Sequence, residues 1–497
     1  MPPVHRVVLA AAEAVPFAKT GGLGDAVGAL AAALADTGLE VTVVLPAYGS
    51  IGPERHGLRR LPGSMQVPLG DRVESFSLLA GRFPATAALV VLVEHPGFFH
   101  RAGIYGDPGT GQEYPDAAAR WIFFSRALLA ALPRLGPAPD VLHLNDHHCA
   151  LAAAYRAAGD DGTLAQTAIV LGLHNLGYQG AYDASQFALT GLPGAFMAPF
   201  GPVEFWGRMN TLKAGLVFAD AVITVSPTYA REIQESAEYG HGLEGVLRSR
   251  GDAVHGILNG IDERIWDPTR DPHLPATYGL NALSGKATCK RTLQEKSGLP
   301  VSTATPLFGM VSRLVEQKGV DLLLDGLDPI LELPLQLVLL GRGDPAFEAR
   351  LRERARARPE RLAVHLDYDD ALAHWIEAGS DFFLMPSRYE PCGLNQMYSM
   401  RYGTIPVVRR TGGLADTVQD WDGQNGTGFV FAPYTAPALL ESVRRACRAF
   451  QNPAHLAALR RAGMQQDFSW RRSARRYRQV YDLAATQRRQ GLAGSRR

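Results

Sequence analysis

Glu390 is the only acid between Asp381 and Asp416, and it precedes Pro391-Cys392-Gly393, a turn into a helix. A carboxylate at such a rim can accept sugar hydroxyls or stabilise positive charge developing at an anomeric carbon. Its plainer use is as an acid at a helix start, worth about 0.3–1 kcal/mol. Arg313 and Lys318 flank a turn that ends at Gly319, and Thr411-Gly412-Gly413 opens another helix. Two cations and a helix end suit a diphosphate; a surface pair of basic residues is the alternative. Lys19-Thr20-Gly21-Gly22-Leu23-Gly24-Asp25 lies near the N-terminus, where glycines let backbone N–H groups approach an anion. It matches neither the dinucleotide fingerprint nor the P-loop. Asp146, His147 and His148 could suggest a metal site, but adjacent side chains diverge and no second ligand cluster is evident. Asp367-Tyr368-Asp369-Asp370 has the look of an Asp-x-Asp metal pattern, which an acidic turn before a helix explains as well. Cys392 has no histidine base nearby in sequence, so a thiol nucleophile is the weaker reading.

These residues need a frame, and the hydrophobic pattern supplies one. Short apolar runs at Val7–Ala10, Val41–Leu45, Leu89–Val93, Val141–Leu144, Ala168–Leu173 and Ala221–Val225 predict strands, with a helix over Gly24–Asp36. A second series follows: strands at Leu307–Val311, Gln336–Leu340, Leu362–Leu366, Phe382–Met385, Ile405–Val408 and Gly428–Phe431, with helices at Val320–Leu331 and Pro345–Arg358. The polar segment from Asp262 to about Ser302 reads as connection. Two alternating series predict an α/β protein of two Rossmann-like, doubly wound domains facing across a cleft. The boundaries expected are 1–257, 258–470 and a C-terminal helix and tail over 471–497 that crosses back to the first domain. In open α/β sheets ligands bind at the carboxyl ends of strands. Asp146, His174, Ser226, Arg313, Glu390 and Thr411 all follow predicted strands.

Composition narrows the class. The 497 residues are 46% hydrophobic and 20% charged, enough to bury large cores. A net charge of +1 offers no field for nucleic acid or an anionic membrane. The arginine-rich stretch after Ser469 has no aromatic stacking platform beside it and reads as a solvated helix face with a frayed tail. Cys149, Cys289, Cys392 and Cys447 are far apart, which argues against a disulfide framework and for a reducing cytoplasm. No run approaches the ~18 apolar residues of a membrane helix. Lysine occurs only at Lys19, Lys213, Lys286, Lys290, Lys296 and Lys318. In so arginine-rich a chain, Lys19, Lys213 and Lys318 read as retained for their compact charge, and Lys286, Lys290 and Lys296 as leftovers of one polar segment.

Taken together, the segments KTGGLGD (Lys19–Asp25), HNLGYQG (His174–Gly180), SPTYAREI (Ser226–Ile233), NGID (Asn259–Asp262) and SRLVEQKG (Ser312–Gly319) resemble those of bacterial glycogen synthases and starch synthases. PSRYEPCGLNQMYSMRYGTIPVVRRTGGLADTV (Pro386–Val418) is the most specific of them. The likeness runs from Ala12 to about Tyr481. It implies a retaining glucosyltransferase of the GT-B fold that moves glucose from ADP-glucose to the non-reducing end of an α-1,4-glucan. It further implies that Lys19, Gly21 and Gly22 form a donor-contacting loop, and that Asp146 and His174 belong to the reaction centre. Arg313 and Lys318 would hold the diphosphate, Glu390 the glucose, and Thr411-Gly412-Gly413 the distal phosphate. Neither a metal nor any other cofactor is implied, and no protein nucleophile. Two departures stand out: His147 replaces a tryptophan of many members, and Tyr398 occupies the place of a second glutamate found in wider retaining families. Rival readings are a relative that uses UDP-glucose or another acceptor such as a small sugar, a non-catalytic glucan scaffold, and a dehydrogenase. The dehydrogenase lacks its fingerprint. A site split between domains also predicts closure on the donor, with Gly260 as hinge.

Overall fold

The computed structural model describes residues 3–84, 86–159, 164–367 and 369–494. Tyr368, Arg496 and Arg497 lie outside them. The chain divides into two compact units: Met1–Val225 with Ala230–Gly260 and Trp470–Arg497, and Ile261–Ser469 with Ser226–Tyr229. The crossings therefore fall at Gly260 and Ser469 rather than at the expected 257 and 470, and the start of the Ser226–Ile233 motif clusters with the second unit. A Cβ on Gly260 would lie 2.5 Å from the Trp470 nitrogen. Close approach of two backbones, more than torsional freedom, is what requires glycine there.

The first unit is built on a 10-stranded sheet. Its seven parallel strands lie in the order Val254–Gly256, Ala221–Thr224, Ala168–Leu173, Val141–Asn145, Arg6–Ala10, Glu40–Pro46, Leu89–Glu94. Numbered along the chain from one to seven, that is 7-6-5-4-1-2-3, so the order reverses between Arg6–Ala10 and Val141–Asn145. The sheet continues beyond Leu89–Glu94 through the antiparallel strand Arg72–Arg82, which sequence periodicity left unassigned.

The second unit holds six parallel strands in the order Leu362–His365, Gln336–Leu340, Leu307–Val311, Phe382–Met385, Ile405–Arg409, Phe429–Phe431. In chain order this is 3-2-1-4-5-6, the doubly wound pattern whose switch point receives ligands. Alternate residues explain both faces of the sheet. Phe308, Met310, Leu337, Leu339, Phe382 and Leu384 enter one core cluster. Their neighbours Leu307, Val338, Leu340, Phe383 and Met385 enter another. Strands apolar on both faces must be covered by helices on both.

Two expectations are corrected. The polar segment before Ser302 is more than connection: the helix Ser284–Lys296 buries Lys286 and Lys290. Lys286 Nζ donates to the carbonyls of Ala378 and Tyr402 and to Thr404 Oγ1, while Lys290 pairs with Asp381 at 2.7 Å. Both lysines clamp the second core. The C-terminal helix Trp470–Gly494 is likewise more than a solvated face. Arg478 and Arg488 donate to backbone carbonyls of the first unit and Arg489 pairs with Asp140, while the Tyr481 hydroxyl meets His143 Nδ1 at 2.7 Å. Among the described residues no helix is long and apolar enough to cross a membrane.

Candidate active site

In the first unit the chemistry gathers where strand order reverses. Arg6–Ala10 leads to Glu13, which is buried at 2% exposure. Its carboxylate accepts the N–H groups of Thr20 and Gly21 and the Tyr105 hydroxyl. The glycine loop thus already cradles a carboxyl group of the protein itself, one whose pKa burial raises. Amides expected to face a donor phosphate hold Glu13 instead. Lys19 pairs with Asp25 at 2.9 Å, with both side chains substantially exposed. Such a pair is weak and exchanges readily. A Cβ built on Gly21 meets nothing within 4 Å, so its surroundings are open, and Gly22 begins the helix Gly22–Asp36.

Asp146 follows Val141–Asn145 with φ +56°, a conformation uncommon outside glycine. Its N–H donates to Gly172 O and its carboxylate accepts the His174 N–H at 2.8 Å, which ties two strand ends together. Burial raises its pKa to about 7, against the lowering effect of the backbone N–H groups of His174 and Asn175. His174 Nε2 lies 2.9 Å from Asn145 Oδ1. Asn145 Nδ2 donates to Ala10 O, so its oxygen accepts and Nε2 carries the proton. Burial lowers the His174 pKa to about 4, leaving a neutral ring with Nδ1 as its acceptor. The His147 and His148 rings are in tilted contact, their centroids 3.7 Å apart, and burial holds both neutral. They pack into the aromatic cluster around Trp121.

In the second unit the switch point lies between Leu307–Val311 and Phe382–Met385. Lys318 Nζ donates to Glu390 Oε1 at 2.8 Å and Oε2 at 2.6 Å, and Ser387 Oγ donates to Oε2 at 3.0 Å. Glu390 is 4% exposed. An ammonium has three donors, so one remains beyond the two directed at Glu390. Gly319 seats this turn: its φ is +72° and a Cβ would lie 2.0 Å from Pro386 O. The Arg388 N–H donates to Gln317 O, and its guanidinium pairs with Asp321 while lying over the Tyr434 ring. Arg313 is exposed and reaches Gln317 Oε1 at 3.3 Å.

Thr411-Gly412-Gly413 packs on the backbone of Glu390. The Gly413 N–H donates to the carbonyls of Glu390 and Pro391, and the Thr411 N–H to Arg409 O. A Cβ on Gly412 would lie 1.9 Å from Glu390 O. The helix that follows, Gly412–Thr417, is only 6 residues long. This turn grips the backbone of Glu390, and the Thr411 and Gly413 amides donate to protein carbonyls.

A family model described as the starch synthase catalytic domain matches residues 6–249, and one described as glycosyl transferases group 1 matches residues 292–462. A glycogen synthase of Anaeromyxobacter dehalogenans is 49% identical over 97% of this chain and 100% of its own length. The chain belongs to the glycogen synthase family. It is a glycosyltransferase of the GT-B fold. The Myxococcus xanthus glycogen synthase is 45% identical over 96% of this chain and 99% of its own. Among solved structures, the catalytic domain of starch synthase IV from Arabidopsis thaliana, bound to ADP and acarbose, is 34% identical with a TM-score of 0.88. It covers 98% of this chain and 100% of its own. A sucrose-phosphate synthase from Thermosynechococcus elongatus, 18% identical with a TM-score of 0.58, shares the fold.

In the first unit Asp146 meets His174, and Gly21 is held by Glu13, whose charge is felt at Asp146; in the second, Lys318 and Gly412 both meet Glu390. Glu13 and Tyr105 were missed, while Asn145 and Ser387 stand at the strand ends that the sequence marked. Glu13 carried one signal, as the only acid before Asp25. Tyr105 carried none, because it reaches Glu13 across 92 residues.

Proposed function

We propose that this glycogen synthase family member transfers glucose from ADP-glucose to the non-reducing end of an α-1,4-glucan with retention of the α-configuration. The observation that carries this reading is the half-buried Lys318 bonded to the buried Glu390 and Ser387 at the switch point of the second unit. The starch synthase structure that holds ADP and acarbose supports a nucleoside diphosphate donor and a saccharide acceptor.

The residues divide the work. Arg313 and the remaining donor of Lys318 neutralise the diphosphate, and Lys19 adds charge by leaving Asp25. Glu390 accepts glucose hydroxyls, and His174, neutral, is oriented by Asn145 and by the Asp146 carboxylate on its N–H. The bond from C1 to the diphosphate breaks as the acceptor oxygen bonds to C1 on the same face. The acceptor's proton passes to the departing phosphate, giving ADP and a glucan one residue longer. No side chain is used as a nucleophile, so the paired carboxylates of glycosidases are unnecessary. No divalent ion is needed for the leaving group, and turnover should survive EDTA; activity abolished by EDTA and restored by magnesium would refute this assignment. The four cysteines are buried and form no disulfide among the described residues, which supports a reducing cytoplasm as the compartment.

The test is product analysis with radiolabelled ADP-glucose and UDP-glucose on glycogen and short maltooligosaccharides. Label entering α-1,4 linkages from ADP-glucose is the expected result. Incorporation from UDP-glucose alone overturns the donor assignment, and no incorporation from either overturns the reaction.

A further inference from the structure

The second unit carries another cluster, which shares no residue with Lys318, Glu390 or Ser387. The donor atoms of His273, Asp370 and His374 all lie within 4.8 Å of one another. Asp370 and His374 are one helical turn apart on Asp370–Gly379, so a single face presents both. Asp369 caps this helix, its carboxylate accepting the Leu372 N–H at 2.9 Å. The acidic run therefore splits into a cap and a candidate ligand. His273 arrives from a loop tied to the same helix: its carbonyl accepts the Trp375 indole N–H, and its own N–H donates to Asp271 Oδ1 at 2.9 Å.

His374 is the anchor. It is 1% exposed, its ring stacks on Trp266 at 4.0 Å, and its Nδ1 meets Asp271 Oδ2 at 2.6 Å. Asp271 is held in turn by the Tyr402 hydroxyl at 2.6 Å. Metal-bound histidines commonly give their second nitrogen to a carboxylate in this way, which fixes tautomer and ring orientation. His273 and Asp370 are exposed, so an ion from solvent can reach the cluster beside a histidine whose ring is already fixed. The charges match as well, since Asp370 and Asp271 together balance a dication. Two imidazoles and one carboxylate favour zinc-type ions, whereas magnesium and calcium take oxygen ligands.

We propose that His273, Asp370 and His374 bind a divalent transition ion of the zinc class. His374 Nε2 is the buried ligand, and water completes the coordination. The ion clasps the 271–273 loop to the helix Asp370–Gly379. This inference is independent of the glucosyl-transfer reading.

The test uses the full chain, stripped with chelator and dialysed. Titration calorimetry with Zn²⁺ should show one site per chain, and Co²⁺ should give the visible absorption of a tetrahedral complex. Zinc should also raise the unfolding temperature. His273→Gln with Asp370→Asn changes two exposed side chains and should unfold at the wild-type temperature in chelator, yet lose the zinc heat, the cobalt bands and the zinc-induced shift. Mg²⁺ should produce none of these signals. A wild-type chain that takes up no zinc, or a double variant that takes it up equally well, overturns the proposal.

Discussion

Lys318 donates to both carboxylate oxygens of Glu390, at 2.8 and 2.6 Å, so the cation and the acid of the second unit form one pair. With Glu390 4% exposed, neither charge can be removed without stranding the other. Glu390→Gln keeps the shape, weakens the grip on Lys318 and removes an acceptor for sugar hydroxyls. Loss of a transition-state interaction of ~3–4 kcal/mol slows turnover about 10²–10³-fold. Steady-state kinetics and ADP titration should show kcat falling that far while ADP affinity changes little. Near-normal kcat would reduce Glu390 to a structural partner of Lys318.

Glu13 is the carboxyl group inside the glycine loop. Glu13→Gln can keep one oxygen on the Thr20 and Gly21 N–H groups, but it turns an NH2 toward the Tyr105 hydroxyl, which loses its acceptor, at a cost of about 1–3 kcal/mol. Tyr105→Phe removes one donor and should cost about 1 kcal/mol. Urea denaturation gives both values, and the loop predicts that KM for the donor rises more in Glu13→Gln than in Tyr105→Phe. Equal donor KM in both variants and the wild type would disconnect the loop from donor binding.

Asp146 gives a pH signature. Its pKa in the fold is about 7, raised by burial from an ordinary value of 3.8. The native state therefore keeps a proton that the unfolded chain has released. The stabilisation is complete below the ordinary value and disappears as pH rises through about 7, falling by up to about 1.4 kcal/mol per pH unit between the two. Asp146→Asn removes this contribution, so its unfolding free energy should fall less between pH 5 and pH 7 than that of the wild type. Parallel pH profiles would mean that Asp146 ionises normally in the fold.

Gly319 and Gly38 separate two penalties. Both have positive φ, but a Cβ on Gly319 meets Pro386 O at 2.0 Å while one on Gly38 meets nothing within 4 Å. Gly38→Ala should cost about 1 kcal/mol from conformation alone. Gly319→Ala must also displace the Pro386 backbone, and with it the Lys318–Glu390 pair. Its denaturation midpoint should fall further, with a loss of turnover that Gly38→Ala does not show. Equal effects would mean that Pro386 yields easily.

Much of this protein was determined by its sequence alone. Hydrophobic runs such as Leu307–Val311 and Phe382–Met385 specify strands because residues apolar on both faces demand a sandwiched parallel sheet. Local chemistry marked Lys19–Asp25, Asp146, His174, Arg313, Lys318 and Glu390, since polar residues after such strands have few other reasons to gather there. The tertiary structure decided strand order, and therefore which strand ends become neighbours. It decided that Lys318 is held by Glu390 and that the amides of Thr20, Gly21 and Gly413 already have partners within the protein. It joined Tyr105 to Glu13 and His273 to His374, and it turned Lys286 and Lys290 from surface leftovers into core clamps. The reason is one of range. Periodicity and capping are set by residues a few positions apart, whereas a buried polar group takes whichever partner the fold brings to it, at any distance along the chain.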